Sequence, residues 1–386
     1  MSQTPLARFP PQPLPAWRRA VLKVGSSLLA ASDTGLSTRH VLALAEFVRV
    51  SRAAGRELVI VSSGAVAAGR ALLRQRGAER DSLAGKQALA ALGQAQVVAL
   101  WQRFFDAPVA QVLLTHDDLR NRRRYLNARA TLRELLRLDA IPVVNENDTV
   151  GVDELKLGDN DNLAAMVAAL VDADLLLIAS DVPGLYDADP RTRADAQPLL
   201  AVDAVTSSIL AVAGGAGSAH GTGGMLTKLQ AAQKAAEAGI ATALFPGSDA
   251  EAVRALADGR LHGTRFAAAR SRLAARKHWI RHAPATAGAI VVDAGAARAL
   301  REGGASLLPG GVASVEGEFG RGDVVEIRTD AGAGLARGVA QYSAREMRRL
   351  AGRHTREIEN VLGYSYGENL VHRDDLVLTA AEEAGA

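Results

Sequence analysis

Leu58-Val59-Ile60-Val61-Ser62-Ser63-Gly64-Ala65 decides the fold class. Its first four residues are apolar without alternation, the mark of a strand buried on both faces. Ser63-Gly64 interrupts the run, and Ala65 opens a helical pattern that extends to residue 75. Strand, tight polar turn and helix make the first part of a βαβ unit. The same alternation recurs to either side. Residues 20–24, 109–113, 141–144, 175–179 and 242–245 read as buried strands, and 38–54, 85–105, 125–138, 162–171 and 225–238 read as helices. The expectation is an α/β fold: a mostly parallel sheet covered on both faces, an αβα sandwich. Ligands of such sheets gather at the carboxyl ends of the strands.

The texture changes near Arg281-His282-Ala283-Pro284. Beyond it, short β-like runs at 289–292, 311–315, 324–328 and 338–342 are separated by Gly- and Pro-rich turns. This predicts a small, mainly β C-terminal domain. Residues 1–16 read as a disordered extension, since five of the thirteen prolines fall within the first fifteen residues. The domain reading is therefore 17–280, then 283–373, then a tail over 374–386. The uncharged run between Asp203 and Lys228 is rich in Gly, Ser and Thr and reads as a loop rather than a membrane span.

The chain has 386 residues, a hydrophobic content of 48% and an aromatic content of only 4%, so Ala and Gly carry much of the packing. Cysteine is absent, which excludes disulfides, thiolate nucleophiles and cysteine metal sites. A net charge of +3 is too small to argue for nucleic acid by itself. No secretory signal is recognisable in the first fifteen residues, and the reading is a cytoplasmic protein.

Gly221-Thr222-Gly223-Gly224-Met225-Leu226-Thr227-Lys228 opens onto the helix at 225–238. Glycines permit close backbone approach, and free amides at a helix start beside a lysine suit phosphate oxygens. The spacing is not that of a Walker A loop. Asn145-Glu146-Asn147-Asp148 ends one strand, and Gly158-Asp159-Asn160-Asp161-Asn162 precedes a helix. These clusters fit turns and an N-cap, or a site for an ammonium, a hydroxyl or Mg²⁺. Lys23, inside an apolar run, either snorkels to water or meets a buried anion. Ser62-Ser63-Gly64-Ala65 is either an ordinary N-cap or a small-anion site. Asp181-Val182-Pro183-Gly184 reads as a turn that can border a nucleotide.

In this order, Lys23-Val24-Gly25-Ser26-Ser27, Ser63-Gly64-Ala65, the two acidic clusters and the Gly221–Lys228 loop resemble the glutamate 5-kinases of the amino-acid kinase family. The likeness runs from Ala20 to Arg373, and its last part resembles a PUA domain through Gly303-Gly304-Ala305-Ser306-Leu307-Leu308-Pro309 and Gly320-Arg321-Gly322-Asp323-Val324. It implies the amino-acid kinase fold. It also implies ATP-dependent phosphorylation of the L-glutamate γ-carboxylate, with Mg²⁺, as the first step of proline synthesis. Proline is the implied inhibitor and a homo-oligomer the implied assembly. Residue by residue, it implies that Lys23, Lys228 and Asp161 are catalytic. Lys23, Gly25, Ser180, Asp181, Thr222, Gly223, Gly224, Met225, Leu226, Thr227 and Lys228 would bind ATP, and Ser63, Asp148 and Asn160 the glutamate. Leu226 stands where the family commonly has Ser. Which residues would meet the metal is left open. The rival readings are an RNA-binding protein acting through the PUA-like part and the Arg345–Arg356 stretch, and a kinase for another acid or for carbamate.

Overall fold

The computed structural model describes residues 9–31, 35–73, 82–151, 160–190, 192–193, 195–213, 224–269, 280 and 286–379. The chain divides into two compact units, one formed by Met1–Arg120 with Asn127–Arg272 and the other by Asn121–Leu126 with Leu273–Ala386.

In the first unit the strands are β1 (Gln12–Pro13), β2 (Arg19–Val24), β3 (Glu57–Ser62), β4 (Val109–Leu114), β5 (Ile141–Glu146), β6 (Leu175–Ser180), β7 (Ala201–Val202), β8 (Ala241–Pro246), β9 (Arg260–Leu261) and β10 (Thr264–Phe266). Eight of them form one sheet in the order β4-β5-β3-β2-β6-β8-β10-β7. Neighbours are parallel from β4 through β8, and β10 returns antiparallel to β8. The chain lays β3 and β5 on one side of β2, then crosses to place β6 on the other. That reversal of direction beside β2 is where an open α/β sheet leaves a crevice at its carboxyl edge.

Helices α1 (Val41–Ala53), α2 (Ala65–Leu73), α3 (Leu83–Gln102), α4 (Arg122–Arg137), α5 (Asn160–Leu170), α6 (Met225–Glu237) and α7 (Ala250–Ala257) accompany these strands. Side chains along a strand alternate between faces. On one face Ala20, Leu22, Leu58, Ile60, Ile141, Val143, Leu175 and Leu177 join a core with α1, α3 and α7. On the other, α5 packs against β2, β3, β5 and β6, and α6 packs against α5, β6 and β8. Burial from both sides explains why the strands read as unbroken apolar runs.

Helices α2 and α3 meet backbone to backbone. A Cβ on Gly69 would lie 1.8 Å from the carbonyl oxygen of Leu89, and one on Gly93 would lie 1.9 Å from that of Ala65. Only glycine permits that approach.

Four segments depart from expectation. Phe9–Leu14 belongs to the fold rather than to a disordered extension; residues 1–8 lie outside the described residues. Phe9 stacks edge-on against Tyr186, β1 pairs with β9, and the Gln12 amide donates to the carbonyls of Leu200 and Gly263 at 2.7 and 2.8 Å. Prolines preclude a helix here but suit an edge strand. Within the uncharged run after Asp203, Ser207–Ala213 is helical, and 214–223 lies outside the described residues.

The other two departures lie in the second unit. Its sheet comprises β11 (Gly288–Val292), β12 (Val312–Gly317), β13 (Val324–Thr329), β14 (Gly334–Val339) and β15 (Leu376–Leu378), in the order β12-β11-β13-β14-β15. Leu376–Leu378, expected in the tail, completes the sheet through antiparallel pairing with β14. Strand β14 starts upstream of the expected 338–342 because the turn after β13 closes early, with Gly332 at φ +81°. The core of this unit is built from Ile290, Val325, Ile327, Tyr342 and Met347.

Candidate active site

The strands of the first unit deliver polar residues to one edge. Lys23 is the fifth residue of β2 and, by alternation, shares a face with Val21, toward α5. It is only 5% exposed, so it does not snorkel. Its ammonium lies 2.6 Å from Oδ1 of Asp161, in the first turn of α5. Lys228, in the first turns of α6, lies 3.2 Å from the other oxygen of Asp161. The Thr227 hydroxyl donates to that same oxygen at 2.7 Å and lies 2.9 Å from the Gly224 carbonyl.

This cluster is buried, and the three groups by themselves, two ammoniums and one carboxylate, sum to +1. Burial pushes the Asp161 carboxyl up, but Lys23 and then Lys228 outweigh it and hold the group below its ordinary range. Burial lowers the Lys228 ammonium; Asp161 opposes that and Lys23 reinforces it. A buried positive excess is costly unless an anion completes it. Gly224 caps α6 and has no side chain to bond the first amides of that helix, a kind of helix start that suits an anion.

Gly25 leaves room beside this cluster, since a Cβ there would lie 3.7 Å from Lys23 Nζ. Ser180 ends β6, and its hydroxyl donates to Asp181 at 3.1 Å. Asp181 adds to the attraction that supports the Lys228 charge. Met225 and Leu226 begin α6, and Leu226 is 40% exposed, so its side chain fills no core position. Thr222 and Gly223 lie outside the described residues.

A second set forms one residue away. Asn160 precedes Asp161 on α5, and its amide nitrogen donates to Ser63 Oγ at 2.7 Å and to Asn145 Oδ1 at 3.0 Å. Ser63 follows β3 and Asn145 lies within β5, so α5 closes the gap between two strand ends. Asn160 Oδ1 is buried and has no partner among the described residues. Asp148 sits in the turn after β5, where Val150 and Gly151 both donate to the Asn147 carbonyl. Burial pushes its carboxyl up to about 6. Among the described residues no hydrogen bond ties Asp148 to either set.

Consecutive residues at one helix start thus serve both sets. Sequence reasoning quoted Asn145 within a cluster but did not select it. The signal was available: β5 is buried throughout, so an amide near its end needs a dedicated partner. The bond from Thr227 to Asp161 had no sequence signal, because it depends on how α6 sits against α5. Among the described residues, no group of three or more His, Asp or Glu side chains is arranged to hold a metal.

The chain is similar to proteins already known. The pattern of the Amino acid kinase family matches residues 18–245, and that of the PUA domain matches 288–362. A glutamate 5-kinase of Xanthomonas euvesicatoria pv. vesicatoria is 70% identical over 361 residues, covering 93% of this chain and all of the relative. One from Xylella fastidiosa (strain M23) is 64% identical over 378 residues, covering 97% of this chain and 98% of the relative. Among solved structures, a carbamate kinase from Giardia lamblia aligns over 65% of this chain and 99% of its own, at 17% identity and a TM-score of 0.47.

Proposed function

The chain belongs to the glutamate 5-kinases of the amino acid kinase family, and from that premise we propose that it transfers the γ-phosphoryl group of ATP to the γ-carboxylate of L-glutamate. The products are L-glutamyl 5-phosphate and ADP, and the reaction commits glutamate to proline synthesis. The observation that carries the reading is the pairing at the start of α5. Asn160 binds the Ser63–Asn145 side while Asp161 binds the Lys23–Lys228 side.

The chemistry needs no strong base, because a carboxylate already carries a nucleophilic oxygen. In the reaction that oxygen bonds to the γ-phosphorus as the bond to the β,γ-bridging oxygen breaks and ADP leaves. The obstacle is repulsion between two anions, with charge spread over the transferring group. Catalysis is then positioning and electrostatic stabilisation. We assign Lys228 to the transferring phosphoryl group and Lys23 to the β- and γ-phosphate oxygens. Asp161 holds both ammoniums at the sheet edge, and the first amides of α6, with Gly25, Ser180 and Asp181, line the nucleotide side. The Gly221–Lys228 loop, Thr222 and Gly223 included, belongs to that side in this reading. On the other side, Asp148 takes the glutamate ammonium, while Ser63 and Asn160 hold its polar groups.

Among the described residues, no protein cage matches Mg²⁺. Both oxygens of Asp161 are engaged, by Lys23 on one side and by Lys228 with Thr227 on the other. In this reading the ion enters with the nucleotide, bound by phosphate oxygens and water as is usual for Mg²⁺. No described helix is long and apolar enough to cross a membrane. We place the enzyme in the cytoplasm, as a homo-oligomer inhibited by proline, with residues 17–280 as the catalytic domain and 283–373 as the PUA-like domain.

ADP release measured with L-glutamate, N-acetylglutamate, aspartate and carbamate tests the assignment, each with and without proline. Turnover with glutamate alone, reduced by proline, is expected. Preference for another acceptor would overturn it.

A further inference from the structure

We infer that Gln94, which lies outside every motif marking the site, is a positioning residue for its amino-acid side. This rests on the reading of that side as the glutamate site. Gln94 follows Gly93 on α3, where the helix backbone lies against α2. That close approach brings a glutamine, only 7% exposed, to the carboxyl end of β5. There Asn145 Nδ2 donates to Gln94 Oε1 at 2.8 Å.

An amide donates from one end and accepts at the other, so a chain of amides has a direction. The oxygen of Gln94 claims the nitrogen of Asn145. Asn145 must then turn its oxygen toward Asn160, which answers with its nitrogen at 3.0 Å. The same nitrogen donates to Ser63 Oγ at 2.7 Å. Two consequences reach the ligand. Asn160 Oδ1 faces away from the chain, buried and without a partner among the described residues, ready to accept from an ammonium. Ser63 spends a lone pair on Asn160 and keeps its own hydrogen to donate to a carboxylate.

Without the Gln94 acceptor, both orientations of Asn145 become accessible. The flipped one turns Asn160 as well and points N–H groups at the substrate ammonium. Gln94 itself is poorly served, since its Nε2 is buried with no partner among the described residues. A buried donor left unpaired weakens the fold, so a polar side chain here is not explained by stability.

Steady-state kinetics of Gln94→Met and Gln94→Glu, beside the unaltered enzyme, test this. Gln94→Met should raise KM for glutamate about tenfold, in keeping with a lost bond to a charged group, and leave KM for ATP within about twofold. Gln94→Glu keeps an oxygen facing Asn145 and should return KM for glutamate to within about threefold of the original. An unchanged KM for glutamate in Gln94→Met, equal rises in both KM values, or a Gln94→Glu enzyme as impaired as Gln94→Met would each overturn the inference. If Gln94→Met fails to fold, Gln94→Asn, one methylene too short to reach, takes its place with the same expected and refuting results. Failure of the unaltered enzyme to turn over glutamate would instead sink the acceptor assignment itself.

Discussion

Replacing Asp161 by Asn removes the carboxylate that two buried ammoniums share. Lys23 Nζ lies 2.6 Å from one of its oxygens and Lys228 Nζ 3.2 Å from the other, with all three side chains less than a tenth exposed. At an effective dielectric near 20, each contact is worth roughly 5–6 kcal/mol before desolvation is counted. Desolvation cancels much of that, so the net cost follows from stranding buried charge, about 3–5 kcal/mol. For a unit of this size, that lowers the melting temperature by roughly 10 °C. The sign with pH follows from the depressed carboxyl. The contribution of Asp161 is intact above its ordinary value of 3.8 and fades as the pH falls through the lower native value. The assay is thermal unfolding by circular dichroism at neutral pH, with and without saturating ATP. In the variant a phosphate replaces the missing negative charge, so ATP should stabilise Asp161→Asn more than the original. A variant that melts within about 2 °C of the original, at a resolution well below the expected shift, would refute the shared counter-ion argument.

Lys228→Met leaves one lysine paired with Asp161, so its fold should hold while kcat falls about 10²- to 10³-fold, the usual loss for one transition-state donor. Near-normal turnover would remove Lys228 from the chemistry. With the Asp148 carboxyl pushed up to about 6, kcat/KM for glutamate should fall as the pH drops through that value, because the protonated acid no longer attracts an ammonium. Asp148→Asn should show a low profile with that step missing, and a step that persists assigns it to another group. Because the native acid is raised, ionising it opposes folding, a penalty absent below 3.8 and complete above about 6. Gly93→Ala places a Cβ 1.9 Å from the Ala65 carbonyl oxygen and should cost about 1–3 kcal/mol or more in urea unfolding; a neutral result would mean that α2 and α3 separate easily.

The parallel sheet was legible because its central strands are buried on both faces, so 58–61 and 175–179 read as continuous apolar runs. Lys23 was legible as a charge inside an apolar strand, and Asp161 only as one member of a polar cluster ahead of a helix. Their meeting was not, since it depends on α5 lying across β2, a contact between residues far apart in sequence. Gln94 gave no signal, because a glutamine within an alanine-rich helix looks like a solvated position until the Gly69 and Gly93 contacts turn it inward. Phe9 and Gln12 were obscured by prolines whose composition resembles that of a tail. Strand β15 is three residues long, and its partner lies some forty residues upstream, too little local pattern to stand out.

The central claim is that the γ-carboxylate of glutamate becomes an acyl phosphate at this site. Hydroxylamine converts an acyl phosphate into a hydroxamate and leaves a free carboxylate untouched. With ATP, Mg²⁺ and L-glutamate, the enzyme should form γ-glutamyl hydroxamate in step with ADP, and the Lys228→Met variant should form little of either. ADP released without hydroxamate, or hydroxamate formed from aspartate in preference to glutamate, would contradict the account.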